Sequence, residues 1–330
     1  MAENNCGNYI NFLEMDKLYV IGNGFDKHHG MPCGYIDFKE WLRNNRQDVY
    51  DNLMRLYGDI DVDWWSKFEE NLTNFDPNRY PNEVGRTPFF ELQRRLETLY
   101  GEDGRAVIDE YEQINMGGVA NRYRLAEVIA HFEMERLNND LNDAFGEWVQ
   151  TIKVPMDADR VENLDTEATF FTFNYTRTLE DLYGVDADNV LHLHGSVDNG
   201  RFVIGHGLSV EEMLERDTEE NAYDRDPDAD MGEDEARMEL FQVIADQLKK
   251  PVEEIIELNK NHFNDLSTIS EMEVLGFSYS SIDLPYLRRI FEIVGIDIHV
   301  IFGWHSPEDE TNAKTFANEM GLTNCELMFF

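Results

Sequence analysis

The sequence KLYVIGNGFD at residues 17–26 joins an apolar run to a glycine-rich turn. The run 17–21 is typical of a buried strand, and Gly22 and Gly24 follow it directly. Glycines after a strand let the backbone approach a phosphate group with its amides pointing inward. The stretch therefore predicts the first strand of an α/β sheet and one wall of a nucleotide pocket. An ordinary tight turn is the alternative.

Three further polar stretches follow β-prone runs in the same way. They are Phe173-Asn174-Tyr175-Thr176, His192-Leu193-His194-Gly195 and Gly276-Phe277-Ser278-Tyr279. Strand candidates alternate with helical segments, which indicates a Rossmann-like α/β fold, a parallel sheet with helices on both faces. Because the carboxyl ends of parallel strands line one crevice, we expect all four stretches to meet in one ligand pocket.

The helical segments predict how the chain divides into domains. Residues 35–152 are rich in apolar residues at helical spacing, which indicates a large helical insertion that caps the pocket. The α/β core then consists of residues 1–34 and 153–330. Within the core, residues 211–237 are strongly acidic, which is typical of a solvated, flexible loop, with a lid as the alternative.

The composition excludes several classes of function. The formal net charge is -39, from 28 Lys and Arg against 67 Asp and Glu, so we expect no nucleic-acid partner. No apolar stretch is long enough to span a membrane, and the start of the chain has no basic signal region. Three cysteines without a CxxC pair argue against a zinc ribbon and a disulfide scaffold. We therefore expect a cytoplasmic protein, whose acidity reflects either high solubility or adaptation to salt.

Two residues are candidates for catalysis. His194 precedes Gly195 at the end of a predicted strand, where an imidazole can act as a general base. Asn174 follows another strand, where its amide can hold a water molecule or a ribose hydroxyl, or instead cap the helix predicted at 176–182. His192 shares a strand face with His194 and is interpreted as a partly buried, hydrogen-bonded residue.

Other polar residues extend the predicted pocket. His206 lies between two glycines after a predicted short strand at 202–204, and with His192 and His194 it offers an alternative metal site. Gly276 permits close approach, and Ser278 offers a hydroxyl. Asp283 either caps the helix that follows it or bonds a ribose.

Taken in order, these motifs resemble those of the AbiH family of bacteriophage abortive-infection proteins. That family in turn resembles the sirtuin-like NAD-binding fold. The motifs cover most of the chain, and the opening motif and FNYT are fairly specific together. They stand here as Gly22–Asp26 with Gly30–Pro32, Phe173–Thr176, His192–Gly195, Gly205–Gly207 and Gly276–Asp283.

The resemblance implies roles for individual residues. Asn174 and His194 correspond to the asparagine and histidine of the sirtuin reaction centre. Thr176 stands where sirtuins carry Asp, and the four-cysteine zinc module is missing, so no zinc and no peptide deacylase are expected. The expected cofactor-binding residues are Gly22, Asn23, Gly24, Phe25, Asp26, Pro32, Gly195, His206, Gly276, Ser278 and Asp283.

The resemblance also implies an activity. We expect an antiphage abortive-infection effector that hydrolyses NAD⁺ to nicotinamide and ADP-ribose, with NAD⁺ as substrate and no other cofactor. A phage-encoded trigger is the expected partner. Two alternatives stay open, a catalytically silent NAD or ADP-ribose sensor and a metal-dependent hydrolase.

We expect a homo-oligomer, because the predicted insertion helices carry surplus aromatic residues and sirtuin-like defence NADases assemble in this way. Light scattering of the purified chain at micromolar concentration should give a mass above that of the 38.6 kDa monomer. A monomeric mass under these conditions would contradict the expectation.

Overall fold

The computed structural model describes residues 16–58, 60–74, 86–87, 90–98, 101, 119–213, 215 and 231–330, with the backbone alone at 119–123 and 231–237. Within these residues the chain forms two compact units. The first contains the described residues of Met1–Met31, Val154–Ser196 and Glu253–Phe330, and the second those of Pro32–Lys153 and Val197–Val252.

A parallel sheet of six strands forms the centre of the first unit, in the order β3-β2-β1-β4-β5-β6. The predicted α/β class with a parallel sheet is therefore confirmed. The strands are β1 Lys17–Ile21, β2 Thr169–Thr172, β3 Val190–His192, β4 Glu271–Leu275, β5 His299–Trp304 and β6 Cys325–Phe329.

The chain order reverses between β1 and β4, which makes the gap between their carboxyl ends the topological switch point. The links β2–β3 and β4–β5–β6 run outward from it in opposite directions, so right-handed crossovers place them on opposite faces. In the register, Ile21 lies opposite Thr172 on β2 and Leu275 on β4. The turns that follow these strands therefore start at the same height.

Helices make up most of the remaining described structure. Residues 90–98 are also helical. The named helices are α1 Asn23–His28, α2 Tyr35–Asn45, α3 Gln47–Tyr57, α4 Val62–Ser66, α5 Phe68–Asn71, α6 Val119–Val149, α7 Met231–Leu248, α8 Val252–Leu258, α9 Lys260–Asp265, α10 Leu284–Val294 and α11 Pro307–Met320.

An aromatic and ionic core holds the second unit together. The ring of Phe38 packs against Phe145 and Trp148 from α6, which accounts for the apolar spacing seen in the sequence. Lys250 is almost fully buried and pairs with Glu69, whose carboxylate lies 2.9 Å from Nζ. Glu69 is therefore held within this unit by an ion pair with a buried lysine. The role of this unit as a cap stays a prediction.

Three local predictions differ from the structure. Residues 202–204 do not form a strand, since the run is short and the backbone of His206 instead bonds Leu248 and Lys250, at 2.9 Å each. Residues 231–237 of the predicted acidic loop begin helix α7, whereas 216–230 lie outside the described residues. Residues 197–252, which the sequence analysis assigned to the core, belong to the second unit.

No described helix combines the length and the apolar character that crossing a bilayer requires.

The turns after β1 and β4 touch each other backbone to backbone at the switch point. Gly24 N donates to Gly276 O at 2.8 Å, and Gly22 N donates to Leu275 O at 2.9 Å. A Cβ on Gly22 would lie 2.5 Å from Gly276 O and 2.7 Å from Phe277 Cα. Gly276 also has a φ of 64°, in the left-handed region that favours glycine. The contact therefore requires glycine on both turns.

Replacing Gly276 by Ala should destabilise the fold more than the same change at Gly321, which has a similar φ of 69° but open space around it. Left-handed strain costs about 1–2 kcal/mol at either site, and overpacking adds about 1–3 kcal/mol at Gly276 alone. Urea midpoints of the two variants measure the difference. Equal losses would show that the two turns separate at little cost.

Candidate functional site

A buried carboxylate, Asp26 on α1, is hydrogen-bonded to the segment that follows β2. Thr176 Oγ1 donates to its Oδ2 at 2.5 Å, and Thr178 Oγ1 donates to its Oδ1 at 2.7 Å. The side chain of Asn174 is a third hydrogen-bond partner. Asp26 is only 1% exposed. The last residue of the GNGFD motif is thus tied to the FNYT motif and the threonine that follows it.

The surroundings of Asp26 change its acidity. Burial raises its pKa to about 6, although the hydrogen bonds from Thr176, Thr178 and Asn174 and the nearby His192 favour the charged form. A carboxylate with three donors is nevertheless well suited to stay ionised at neutral pH. Asp26 is therefore a charged anchor for the segment after β2.

Asn174 does not cap a helix. The helical turn after it is a π-helical one that begins at Thr178 and ends at Tyr183, with Arg177 before it. Asn174 is 6% exposed, and its backbone N–H donates to Thr172 Oγ1 at 3.1 Å. The alternative interpretation of Asn174 as a cap is therefore wrong.

The ring of His192 holds the same segment from the neighbouring strand. Its Nδ1 donates to the carbonyl oxygen of Asn174 at 2.8 Å. Its Nε2 lies 3.2 Å from Oε1 of Glu180, a buried carboxylate on the π-helical turn. These contacts agree with the interpretation of His192 as a partly buried, hydrogen-bonded residue.

His194 lies in the turn after β3 and is 2% exposed. Its Nε2 is 3.6 Å from Oδ1 of Asp283, which follows β4. The ring is enclosed by aromatic side chains, with centroids 5.1 Å from Phe173 and 5.4 Å from Tyr286. A histidine and a carboxylate from separate strand ends thus face each other.

Asp283 stands at the N-cap position of α10, but its carboxylate accepts no capping hydrogen bond from the described residues of that helix. The expectation that it caps the helix is therefore wrong. The carboxylate faces His194 instead, within ion-pair range of Nε2 but beyond hydrogen-bond distance.

The family model described as bacteriophage abortive infection AbiH matches residues 18–303, which is most of the chain. The chain belongs to the AbiH family. Membership supports a role in abortive infection by bacteriophage. No curated protein and no solved structure gives a significant match.

The glycines of the AbiH motifs have a structural explanation. Gly22, Gly24 and Gly276 are required by the contact between the two turns, so their binding of a nucleotide stays a prediction. Gly195 has a φ of 85° and its N–H donates to His192 O at 3.2 Å, which turns the chain sharply after His194.

The remaining predicted residues differ in exposure. Asn23 and Ser278 are exposed on the two turns at the switch point and are therefore accessible to a ligand. Phe25 is fully buried and stacks on Phe330, so its side chain belongs to the core. Pro32 and His206 belong to the second unit.

His206 is fully buried, and burial together with nearby Lys249 lowers its pKa to about 4. The ring is therefore neutral at physiological pH. Among the described residues, no group of three or more His, Cys, Asp or Glu side chains could hold a metal ion.

Sequence reasoning missed two parts of this site. Glu180 looked like an ordinary helical acid, although its position four residues after Thr176 places it near the FNYT segment. Tyr286 looked like a core residue of α10, and only the fold brings its ring to His194. The sequence carries no signal for the second contact.

The raised pKa of Asp26 predicts a pH-dependent contribution to stability. Since the folded state holds this proton more tightly than the unfolded state, the contribution falls as the pH rises from about 4 to about 6. Asp26→Asn removes the titrating group. The unfolding free energy of the variant minus that of the parent should therefore be about 1 kcal/mol larger at about pH 7.5 than at about pH 5.

Urea denaturation of both proteins at the two pH values measures this difference. The pH-dependent contributions of the other acidic residues are the same in both proteins and cancel in the comparison. A difference that is independent of pH would contradict the assigned burial of Asp26.

Proposed function

We propose that this AbiH-family chain is an antiphage effector that hydrolyses NAD⁺ to nicotinamide and ADP-ribose. The observation that carries the proposal is that three polar residues follow three strand ends of one parallel sheet, two of them facing each other. Asn174 follows β2, and His194 follows β3. Asp283 follows β4 and faces His194. Such a set beside the switch point is where ligands of parallel α/β sheets bind.

The strand order supports a dinucleotide as the ligand. The order β3-β2-β1-β4-β5-β6 is that of doubly wound sheets that bind dinucleotides at the switch point. The exposed Asn23 and Ser278 flank that point and offer polar contacts for ribose or phosphate. This topology supports the sirtuin-like resemblance, which rests on the motifs.

The chemistry requires little more than these groups. In hydrolysis, the bond between C1′ of the ribose and the nicotinamide nitrogen breaks, and its electron pair leaves with nicotinamide. Water forms the new C1′–O bond and loses a proton. The transition state resembles an oxocarbenium ion, as in glycoside hydrolysis. His194 accepts the proton from the water or from a ribose hydroxyl, with Asp283 orienting the ring.

The chain departs from the sirtuin pattern at Thr176, but another part of the chain supplies the missing carboxylate. Sirtuins carry an Asp at this place, and Thr176 here donates instead to the carboxylate of Asp26. A carboxylate therefore still lies beside the asparagine, supplied by the GNGFD motif. This supports a reaction centre of the same chemical type.

The burial of His194 and Asn174 favours one alternative function, that of a sensor which binds the nucleotide without cleaving it. His194 is 2% exposed and Asn174 6%, so a substrate reaches them only after the surrounding loops move. A protein that binds NAD⁺ or ADP-ribose without cleaving it, and signals by such a movement, would share this geometry. Nicotinamide release separates the two functions.

His194→Ala should lower NAD⁺ cleavage by about 10²–10⁴-fold, because the variant loses proton transfer. Its affinity for NAD⁺ should change little, since the ring contributes to the transition state more than to ground-state binding. His192→Ala is the matched control, a second histidine of the same motif that should act mainly on the melting temperature.

Nicotinamide release, NAD⁺ binding and thermal melting of the parent and both variants measure these effects, with and without phage lysate as the trigger. Loss of catalysis in His192→Ala with activity kept in His194→Ala would show that the two roles are reversed. Binding of NAD⁺ without any nicotinamide release by the parent would favour the sensor.

A further inference from the structure

Three of the four polar atoms of Asn174 have a partner in the protein. Its backbone N–H donates to Thr172 Oγ1 at 3.1 Å, and its carbonyl oxygen accepts from His192 Nδ1 at 2.8 Å. Its side-chain amide bonds the carboxylate of Asp26. The side-chain oxygen Oδ1 is buried and accepts no hydrogen bond from any residue that the structure describes.

The partner of the side-chain amide decides which way the amide points. A carboxylate only accepts hydrogen bonds, so the atom of Asn174 that faces Asp26 is the donor Nδ2. The opposite orientation would bring Oδ1 against a negative charge and would strand the two N–H donors. Asp26 therefore selects one of the two amide orientations that are otherwise similar in shape.

The carboxylate of Asp26 is itself fixed. Thr176 and Thr178, two positions apart at the start of the π-helical turn, donate to one oxygen each. Each hydroxyl has one proton, and each donates it in a hydrogen bond to Asp26. With both oxygens bound by the protein and 1% of the residue exposed, Asp26 has little capacity to bind a ribose directly.

We infer that Asp26 is a positioning residue, which holds Asn174 so that its Oδ1 accepts a hydrogen bond from an O–H group of the bound ligand. The O–H group is that of the attacking water or of a ribose hydroxyl. Its identity rests on the proposed function, whereas the orientation of the amide does not. This role replaces the expectation that Asp26 contacts the cofactor itself.

An unpaired buried acceptor has a cost that a ligand donor removes. A buried polar atom without a partner is destabilised by about 1–3 kcal/mol, so native proteins satisfy such atoms with protein groups, water or ligand. The carbonyl-type oxygen of Asn174 demands a donor. An aliphatic or purely accepting group of a ligand would leave the oxygen unsatisfied and is excluded at this position.

The orientation can be tested without any substrate. In the ¹⁵N-labelled full chain, the side-chain NH₂ pair of Asn174 is the signal that is missing in Asn174→Ser. If Asp26 holds the amide, this pair should exchange with solvent at least about tenfold more slowly than in Asp26→Asn. Equal exchange in the two proteins would overturn the inference, whatever the enzyme does.

Glu133→Gln is the matched control for a general loss of stability. Glu133 is also a buried carboxylate, 5% exposed, and it pairs with Arg55 at 2.8 Å in the second unit. The control should lower the melting temperature and leave the Asn174 amide signal unchanged. A similar loss of protection in Glu133→Gln would attribute the effect to destabilisation and would overturn the inference.

Activity then identifies the O–H group, given a parent that releases nicotinamide. Asp26→Asn should lower nicotinamide release on the order of 10²-fold, because a misplaced group costs about that much. A loss in kcat alone indicates the attacking water, and a rise in KM indicates a ribose hydroxyl. Full activity in Asp26→Asn would overturn the inference, while inactivity of the parent would contradict only the proposed function.

Discussion

The hydrogen bonds around the carboxylate of Asp26 are the interaction on which the rest of the site depends. Burying an ionised carboxylate is costly unless donors surround it, and here two threonine hydroxyls and an asparagine amide do so. These donors lie on the segment after β2, whereas Asp26 lies on the helix after β1. The network therefore fixes the two strand ends relative to each other and sets the geometry of Asn174.

A second constraint complements this network on the other side of β1. The turns after β1 and β4 are in backbone contact, which only glycine permits at Gly22, Gly24 and Gly276. Together the two constraints draw the ends of β2, β1 and β4 into one cluster. His194, from the end of β3, joins the cluster through Asp283. The site is thus assembled by contacts between loops, on strands whose register keeps their ends level.

Much of the fold could be predicted because its signals are local. The apolar run at 17–21 followed by glycine identified β1, and the same pattern identified β4. The partners of the polar residues could not be predicted, because they depend on contacts between distant segments. Asp26 and Thr176 are 150 positions apart, and nothing in either motif predicts that the two residues form a hydrogen bond. Asp283 illustrates the same limit, since its sequence position is that of a helix cap.

The central claim is that the cluster at these strand ends directs water to C1′ of NAD⁺. Mass spectrometry of the products formed in ¹⁸O-labelled water tests it most directly. The account predicts free nicotinamide and ADP-ribose that carries one heavy oxygen, formed by the parent chain in the presence of its trigger. Recovery of intact NAD⁺, or of ADP-ribose products without the heavy oxygen, would contradict it.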